Sequence, residues 1–203
     1  MITVGIYLAA GNSTRMGTDK RALPFADSFL GSIALQAALF SFLSTVFLIV
    51  PPNDPLDWVA FPLLQHEKIA IIHCPSTTQS SSLQCGVRKA IYQKADAAVI
   101  LLADQPFVRK ETINELIAHF TQTHTDYVAF ANNSIPFPPV LFSASVFPSL
   151  LNIQGDEGAR QLIRQKHWNG TLLHADDNRL FFDIDTMEEY KQALKYWEKG
   201  GLR

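Results

Sequence analysis

The sequence predicts an α/β fold organised around a mostly parallel sheet. Short apolar runs of strand length recur along the chain, and segments with apolar residues on one helical face separate them. Such alternation implies right-handed βαβ units, whose crossover helices cover the faces of a parallel sheet. A polar loop with two glycines also follows the first apolar run directly, at the strand end where open α/β sheets bind ligands.

Taken in chain order, Ile2 to Leu8 is apolar and β-branched enough for a buried strand. Ile33 to Val50 is long and apolar enough to raise a membrane span. Gln36 and the cluster Ser41, Ser44 and Thr45 divide it instead into a helix and the strand Val46–Val50, so a soluble chain is expected. Ile69–Ile72, Ala97–Leu102 and Tyr127–Phe130 read as further strands. Between them, Leu83, Val87, Ala90 and Ile91 share one helical face, as do Ile113, Leu116, Ile117 and Phe120. The segment Pro136-Phe137-Pro138-Pro139 interrupts the rhythm before Val140-Leu141-Phe142, and a helix-like stretch runs from Gly155 to Gln165. Thr171–His174 and Leu180–Ile184 read as the last strands. The final helix carries Met187, Tyr190, Leu194 and Trp197 on one stripe, and Thr186 with Glu189 three residues on marks its start as a capping box.

At 203 residues the chain buries one good core, and without repeats or linkers a single domain over residues 1–203 is expected. A formal net charge of -2 argues against a nucleic-acid or membrane-surface binder, which needs a basic excess. Cys74 and Cys85 are too few for a disulfide framework and lack metal-ligand spacing. They read as two small apolar residues in a reducing cytoplasm.

The chemistry concentrates in Leu8-Ala9-Ala10-Gly11-Asn12-Ser13-Thr14-Arg15-Met16-Gly17-Thr18-Asp19-Lys20. Glycines let successive backbone N–H groups approach an anion, while Arg15 offers a planar fork and Lys20 a mobile point charge for phosphate oxygens. A P-loop is excluded, because five residues separate the glycines and Thr18 follows Gly17. A dinucleotide fingerprint is excluded by having two glycines rather than three. Asp104 ends the strand Ala97–Leu102 two residues on, where a carboxylate can hold a divalent cation against phosphates or simply form a turn. In an extended chain Asp183 and Asp185 share a face, so at least one needs a cation. The other reading has Asp185 assisting the last helix cap and Asp183 in solvent. Ser81 and Ser82, in the run Gln79-Ser80-Ser81-Ser82-Leu83-Gln84, offer hydroxyls for a nucleobase or a helix cap. His73 and His174 read as packing or solvated, and no Ser-His-Asp arrangement is visible.

In order, Leu8–Lys20, Ala103–Pro106, Pro139–Phe142, Gly155–Arg160 and Asp183–Thr186 resemble the MobA-like nucleotidyltransferases. The similarity is nearest to the MocA-type molybdenum-cofactor cytidylyltransferases and the related purine-catabolism proteins that support xanthine dehydrogenase, and it spans essentially the whole chain. It implies a Rossmann-like three-layer α/β/α fold of the nucleotide-diphospho-sugar transferase type. It further implies that Leu8, Ala9, Ala10, Gly11, Asn12, Ser13, Arg15 and Lys20 line a nucleoside triphosphate, with Lys20 and Arg15 catalytic at its phosphates. Asp104 would bind Mg2+, and Gln105, Gly155, Asp156, Gly158 and Arg160 would face the acceptor; of the two readings of the carboxylate pair, the metal one takes Asp183 as the second ligand. Ala10 matches the cytidylyl-type loop, whereas Asp19-Lys20 is similar to the guanylyl type.

The reaction this implies is transfer of CMP from CTP to molybdopterin with release of pyrophosphate, in the cytoplasm, with a molybdenum hydroxylase as client. Two alternatives keep the same residues: transfer to a sugar phosphate or another phosphorylated metabolite, and a non-catalytic molybdenum-cofactor delivery protein. A nicotinamide oxidoreductase fits poorly, because the glycine spacing fails and no acid–base pair stands out.

Overall fold

The first strand, β1 (Thr3–Leu8), is buried along its whole length, as a near-continuous apolar run in a parallel sheet must be. The computed structural model describes residues 1–11, 16–75, 78–155, 162–163 and 168–200. The other strands are β2 (Pro24–Phe25), β3 (Ser28–Phe29), β4 (Thr45–Val50), β5 (Ile69–His73), β6 (Ala97–Leu102), β7 (Tyr127–Asn132), β8 (Ile135–Ser143) and β9 (Gly170–His174). Seven of them form one sheet in the order β5-β4-β1-β6-β8-β7-β9, while β2 and β3 make a small hairpin. β8 runs antiparallel to β6 and β7, and every other pairing in the large sheet is parallel. All strands of that sheet except β8 therefore present their carboxyl ends on one edge.

Among the described residues the helices with both ends described are α1 (Leu30–Leu39), α2 (Phe61–Leu64), α3 (Gln79–Tyr92), α4 (Lys110–Thr123), α5 (Phe147–Leu150) and α6 (Met187–Lys199). Leu35 and Leu39 of α1 join Ile113, Leu116 and Phe120 of α4 against Tyr7, Leu48, Val99 and Leu101 on one face. Leu83 and Val87 of α3 join Phe147 and Leu150 of α5 against Ile6, Phe47 and Phe142 on the other. The result is the three-layer α/β/α arrangement. A third cluster fastens α6, through Ala193, Tyr190, Leu194 and Trp197, to Phe25, Leu30, Phe107 and Ile184.

The structure departs from the sequence reading in five places. The proline-rich segment does not interrupt the sheet but forms the first half of β8. Its prolines are tolerated because the ladder with β6 begins only at Val140, and the register against β7 shifts between Ala129 and Phe130. Leu180–Ile184 is not a strand. Asp177 caps a 3₁₀ turn over Asn178–Phe181 by accepting from the Arg179 amide, which curls the chain before it can pair. Ile91 and Met187 are exposed although they lie on the apolar stripes of their helices. Cys74 and Cys85 are not separate apolar residues. The β5–α3 connection folds back so that their Cα atoms lie 6.3 Å apart and the sulfurs form a disulfide. A separation of 11 residues across a strand–helix turn has no sequence signature. The stretch Ile33–Val50 does divide into α1 and β4, and among the described residues no helix is long and apolar enough to cross a membrane.

The height of α3 over the sheet depends on Gly86, where an added Cβ would lie 2.3 Å from the Cγ2 of Ile6. Gly86→Ala is expected to destabilise the protein by about 1–3 kcal/mol through overpacking. Chemical denaturation measures this, and an unchanged midpoint would show that α3 lifts off β1 without strain.

Candidate active site

Where β1 ends, its neighbours hold the chain: the Ala9 amide donates to Ile49 O of β4 at 3.0 Å and the Ala103 amide donates to Leu8 O at 3.3 Å. Ala9 and Ala10 are buried and Gly11 is exposed. A Cβ at Gly11 would meet nothing within 4 Å, so the surrounding protein makes no demand for glycine there. Gly17 is different, because its φ of +66° favours a residue without a side chain. Asp19 then caps a 3₁₀ turn over Lys20–Ala22 by accepting from the Arg21 amide at 3.0 Å.

Lys20 joins three distant parts of the chain. Its Nζ donates to Asp104 Oδ2 at 2.7 Å, to Ile184 O at 2.8 Å and to Asp185 Oδ1 at 3.0 Å. Burial alone would lower the lysine pKa, but the Asp104 and Asp185 carboxylates outweigh it and hold the pKa above the ordinary value. The ammonium is therefore charged at neutral pH. Asp104 also ties its backbone to the same segment, its carbonyl accepting from the Ile184 amide at 3.1 Å. Its other carboxylate oxygen, Oδ1, is buried without a hydrogen-bond partner.

Gln105 is fully buried, and its Nε2 donates to Asp183 Oδ1 at 2.7 Å while its Oε1 stays unpartnered. Asp183 and Asp185 thus both reach the segment after β6, although through different partners. The last helix does not use Asp185 as a cap. Glu189 Oε2 accepts from the amides of Asp185 and Thr186, and Thr186 Oγ1 accepts from the Glu189 amide. Among the described residues no three His, Cys, Asp or Glu side chains converge as a ready-made metal centre. The oxygen donors nevertheless suit a hard divalent cation, and Asp104 Oδ1 is a buried carboxylate oxygen still able to accept one.

Sequence reasoning missed Arg21. All three guanidinium nitrogens are engaged: Nε and Nη2 donate to the Asp19 carboxylate at 2.9 and 2.6 Å, and Nη1 donates to Ala9 O and Asp54 Oδ2, both at 2.5 Å. Burial would lower the guanidinium pKa, but Asp19 and Asp54 raise it. Arg21 in turn holds the Asp19 carboxyl below its usual range, against the effect of burial. The guanidinium also sits 4.9 Å from the Trp58 ring centroid, and Trp58 Nε1 donates to Asp54 Oδ1 at 3.0 Å. Asp54 lies in the loop after β4, 33 positions away, beyond the reach of any local motif.

At the start of α3 the cap is Thr78 rather than a serine, its side chain accepting from the Ser81 amide. Ser82 is buried and its hydroxyl donates back to Thr78 O at 2.9 Å, leaving Ser81 as the more open of the pair. Gly155 has a φ of +80° with open space at its Cβ position. Asn12, Ser13, Arg15, Asp156, Gly158 and Arg160 lie outside the described residues. What the geometry brings together is a fixed ammonium, carboxylates on adjoining segments and a buried-alanine loop, all on the carboxyl edge. Such an arrangement can balance the charge of a bound anion by position and electrostatics.

A model of the MobA-like NTP transferase domain matches residues 5–170. The chain is 36% identical over 202 residues to the purine catabolism protein PucB of Bacillus subtilis, covering 95% of this chain and 96% of PucB. It is 26% identical to the nicotine blue oxidoreductase of Paenarthrobacter nicotinovorans, covering 94% of this chain and 95% of that protein. Among solved structures, the Rv0371c homologue from Mycobacterium sp. strain JC1 matches with a TM-score of 0.81 at 24% identity, over 98% of this chain and 97% of that one. The manganese complex of Mycobacterium tuberculosis Rv0371c matches with a TM-score of 0.75 at 22% identity, over 96% and 99%. The mostly parallel sheet flanked by helices, its first strand running into a glycine-containing loop, and the match over most of its length agree: this chain belongs to the MobA-like NTP transferase family of nucleotidyltransferases.

Proposed function

We propose that the protein transfers CMP from CTP to molybdopterin and releases pyrophosphate, for maturation of a molybdenum hydroxylase such as xanthine dehydrogenase. The observation that carries the reading is the Lys20 ammonium, fixed between Asp104 and Asp185 beside the loop that leaves β1. The purine-catabolism name of PucB supports the link to a purine hydroxylase.

In this reaction an oxygen of the acceptor's terminal phosphate forms a bond to the α-phosphorus of CTP. The bond from the α-phosphorus to the bridging oxygen breaks, and its electrons leave with pyrophosphate. The acceptor oxygen is already anionic, so no side chain need act as general base. Lys20 orients the triphosphate and offsets its charge, with Arg15 assigned the same task by the family resemblance. Asp104 and Asp183 would hold a divalent ion, which we assign as Mg2+ and which when bound neutralises phosphate charge. Gln105 fixes one oxygen of Asp183 and so orients that carboxylate. The family resemblance assigns Gln105, Gly155, Asp156, Gly158 and Arg160 to the acceptor.

Preference for CTP rests on the loop. Ala10 is buried, and on our reading its methyl leaves less room for a base than glycine would. Asp19, the guanylyl-type feature, has its carboxylate taken up by Arg21 rather than free to read a purine. Ser81, at the open start of α3, supplies a hydroxyl to the cytosine edge, with Ser82 behind it. A site that pairs such groups discriminates against a base that leaves them unpaired.

Lys20→Ala is expected to lower transfer by about 10²–10³-fold in a folded protein, as loss of one preorganised charge typically does. Steady-state rates checked beside a circular-dichroism melt decide it, and near-normal turnover would remove Lys20 from the site. Asp104→Asn should shift the magnesium titration of activity to higher concentration, because the amide brings no charge to the cation. An unchanged titration would overturn the metal assignment. CTP and GTP offered at equal concentration with purified molybdopterin should yield the cytosine dinucleotide. The guanine product would reverse the base preference, transfer only to a sugar phosphate would change the acceptor, and nucleotide binding without transfer to either would favour a delivery role.

A further inference from the structure

We propose that Arg21 is a positioning residue for nucleotidyl transfer: a clamp that fixes the nucleotide loop at both ends without touching the nucleotide. The inference rests on reading Ala9, Ala10, Gly11 and Lys20 as part of the nucleotide site. One planar guanidinium holds the carbonyl of Ala9, where the loop leaves β1, and the carboxylate of Asp19, where the loop returns. Its third attachment, Asp54, is anchored independently, since Asp54 Oδ1 accepts from both Trp58 Nε1 and the Leu56 amide. The loop is thereby tied to the neighbouring connection after β4.

Among the described residues, the surroundings of Arg21 are closely packed. Trp58 covers one face of the guanidinium, and the first turn of α1 packs so tightly that a Cβ at Gly31 would lie 2.9 Å from the Arg21 Cβ and 2.5 Å from Trp58. The Gly31 carbonyl is held in place by the Tyr7 hydroxyl, which donates to it at 2.7 Å. With every guanidinium nitrogen engaged, Arg21 acts through Ala9 and Asp19. Those two residues set the backbone that carries Ala10 and Gly11 on one side and Lys20 on the other. A lysine cannot replace it, because an ammonium lacks the planar fork that spans a carboxylate, a carbonyl and a second carboxylate together.

The test uses the full-length protein and direct nucleotide binding, which needs no acceptor. Calorimetric affinities for CTP and GTP are measured for wild type, Arg21→Met, Arg21→Lys and, as control for the site itself, Lys20→Ala. Amide hydrogen exchange is followed in parallel. Displacing the loop should weaken nucleotide binding about 10- to 100-fold in Arg21→Met, in keeping with the cost of small misplacements at a preorganised site. Arg21→Lys should fall nearer to Arg21→Met than to wild type. In both variants the amides of Ala10 and Gly11 should exchange faster while those of Val4 to Leu8 stay protected, a pattern that a merely structural residue would not give. Should Arg21→Met not fold, Arg21→Lys carries the same readouts. Wild-type affinity or unchanged exchange at Ala10 and Gly11 in the folded variants, alongside weakened binding by Lys20→Ala, overturns the clamp alone. Full affinity in Lys20→Ala overturns the site reading, and the clamp with it.

Discussion

Two carboxylates on adjoining segments, Asp104 and Asp185, can face one another only because an ammonium stands between them. Lys20 supplies it, with the Ile184 carbonyl completing its contacts. Like charges brought this close would otherwise drive one group to take up a proton or the segments to separate. The connection after β6 and the stretch before α6 are therefore held together by a residue from the first tenth of the chain. The backbone bond from Ile184 to Asp104 and the aromatic cluster under α6 build outward from that junction.

Lys20 and Arg21 are neighbours with opposite fates. A 3₁₀ turn advances about 120° per residue, so consecutive side chains diverge sharply. Lys20 turns toward the carboxylates of the sheet edge, while Arg21 turns inward beneath the loop, against Trp58. The capping bond from Asp19 sets this turn and so decides which cation faces which partner. The fold thereby separates a charge held at the site from a charge spent on architecture, although the two are adjacent in sequence.

Much of the fold was legible because strand and helix periodicities are local. The runs in β1, β4 and β6 and the α4 face are read from their own residues, and the capping box at Thr186 appears with both of its bonds. Lys20 was legible as a cation in the loop after β1, Asp104 as a carboxylate after β6 and Asp183 as one of a carboxylate pair before the last helix; the fold sets Lys20 on Asp104 and Asp183 on the adjacent Gln105. What local reasoning missed depends on distant partners. Nothing near Arg21 announces Asp54, and nothing near Cys74 announces Cys85. The prolines of β8 read as a break because a strand is ordinarily hostile to them, and only the place where the β6 ladder begins explains their tolerance. Leu180–Ile184 had the composition of a strand but was curled by the cap at Asp177.

The route of the chain through the sheet has a consequence in time. Residues 3–102 contain β1, β4, β5 and β6, so four of the strands that share the carboxyl edge are made before the antiparallel β8 is reached. The partner of Lys20 at Asp185, and the α6 residues that clasp Phe25, come from the last twenty. As a ribosome releases the chain from its N-terminus, the cradle precedes its latch. A chain that has not yet reached Asp185 would hold the strands of its sheet but lack that partner of Lys20 and the aromatic clasp, so this junction closes only after the sheet is made.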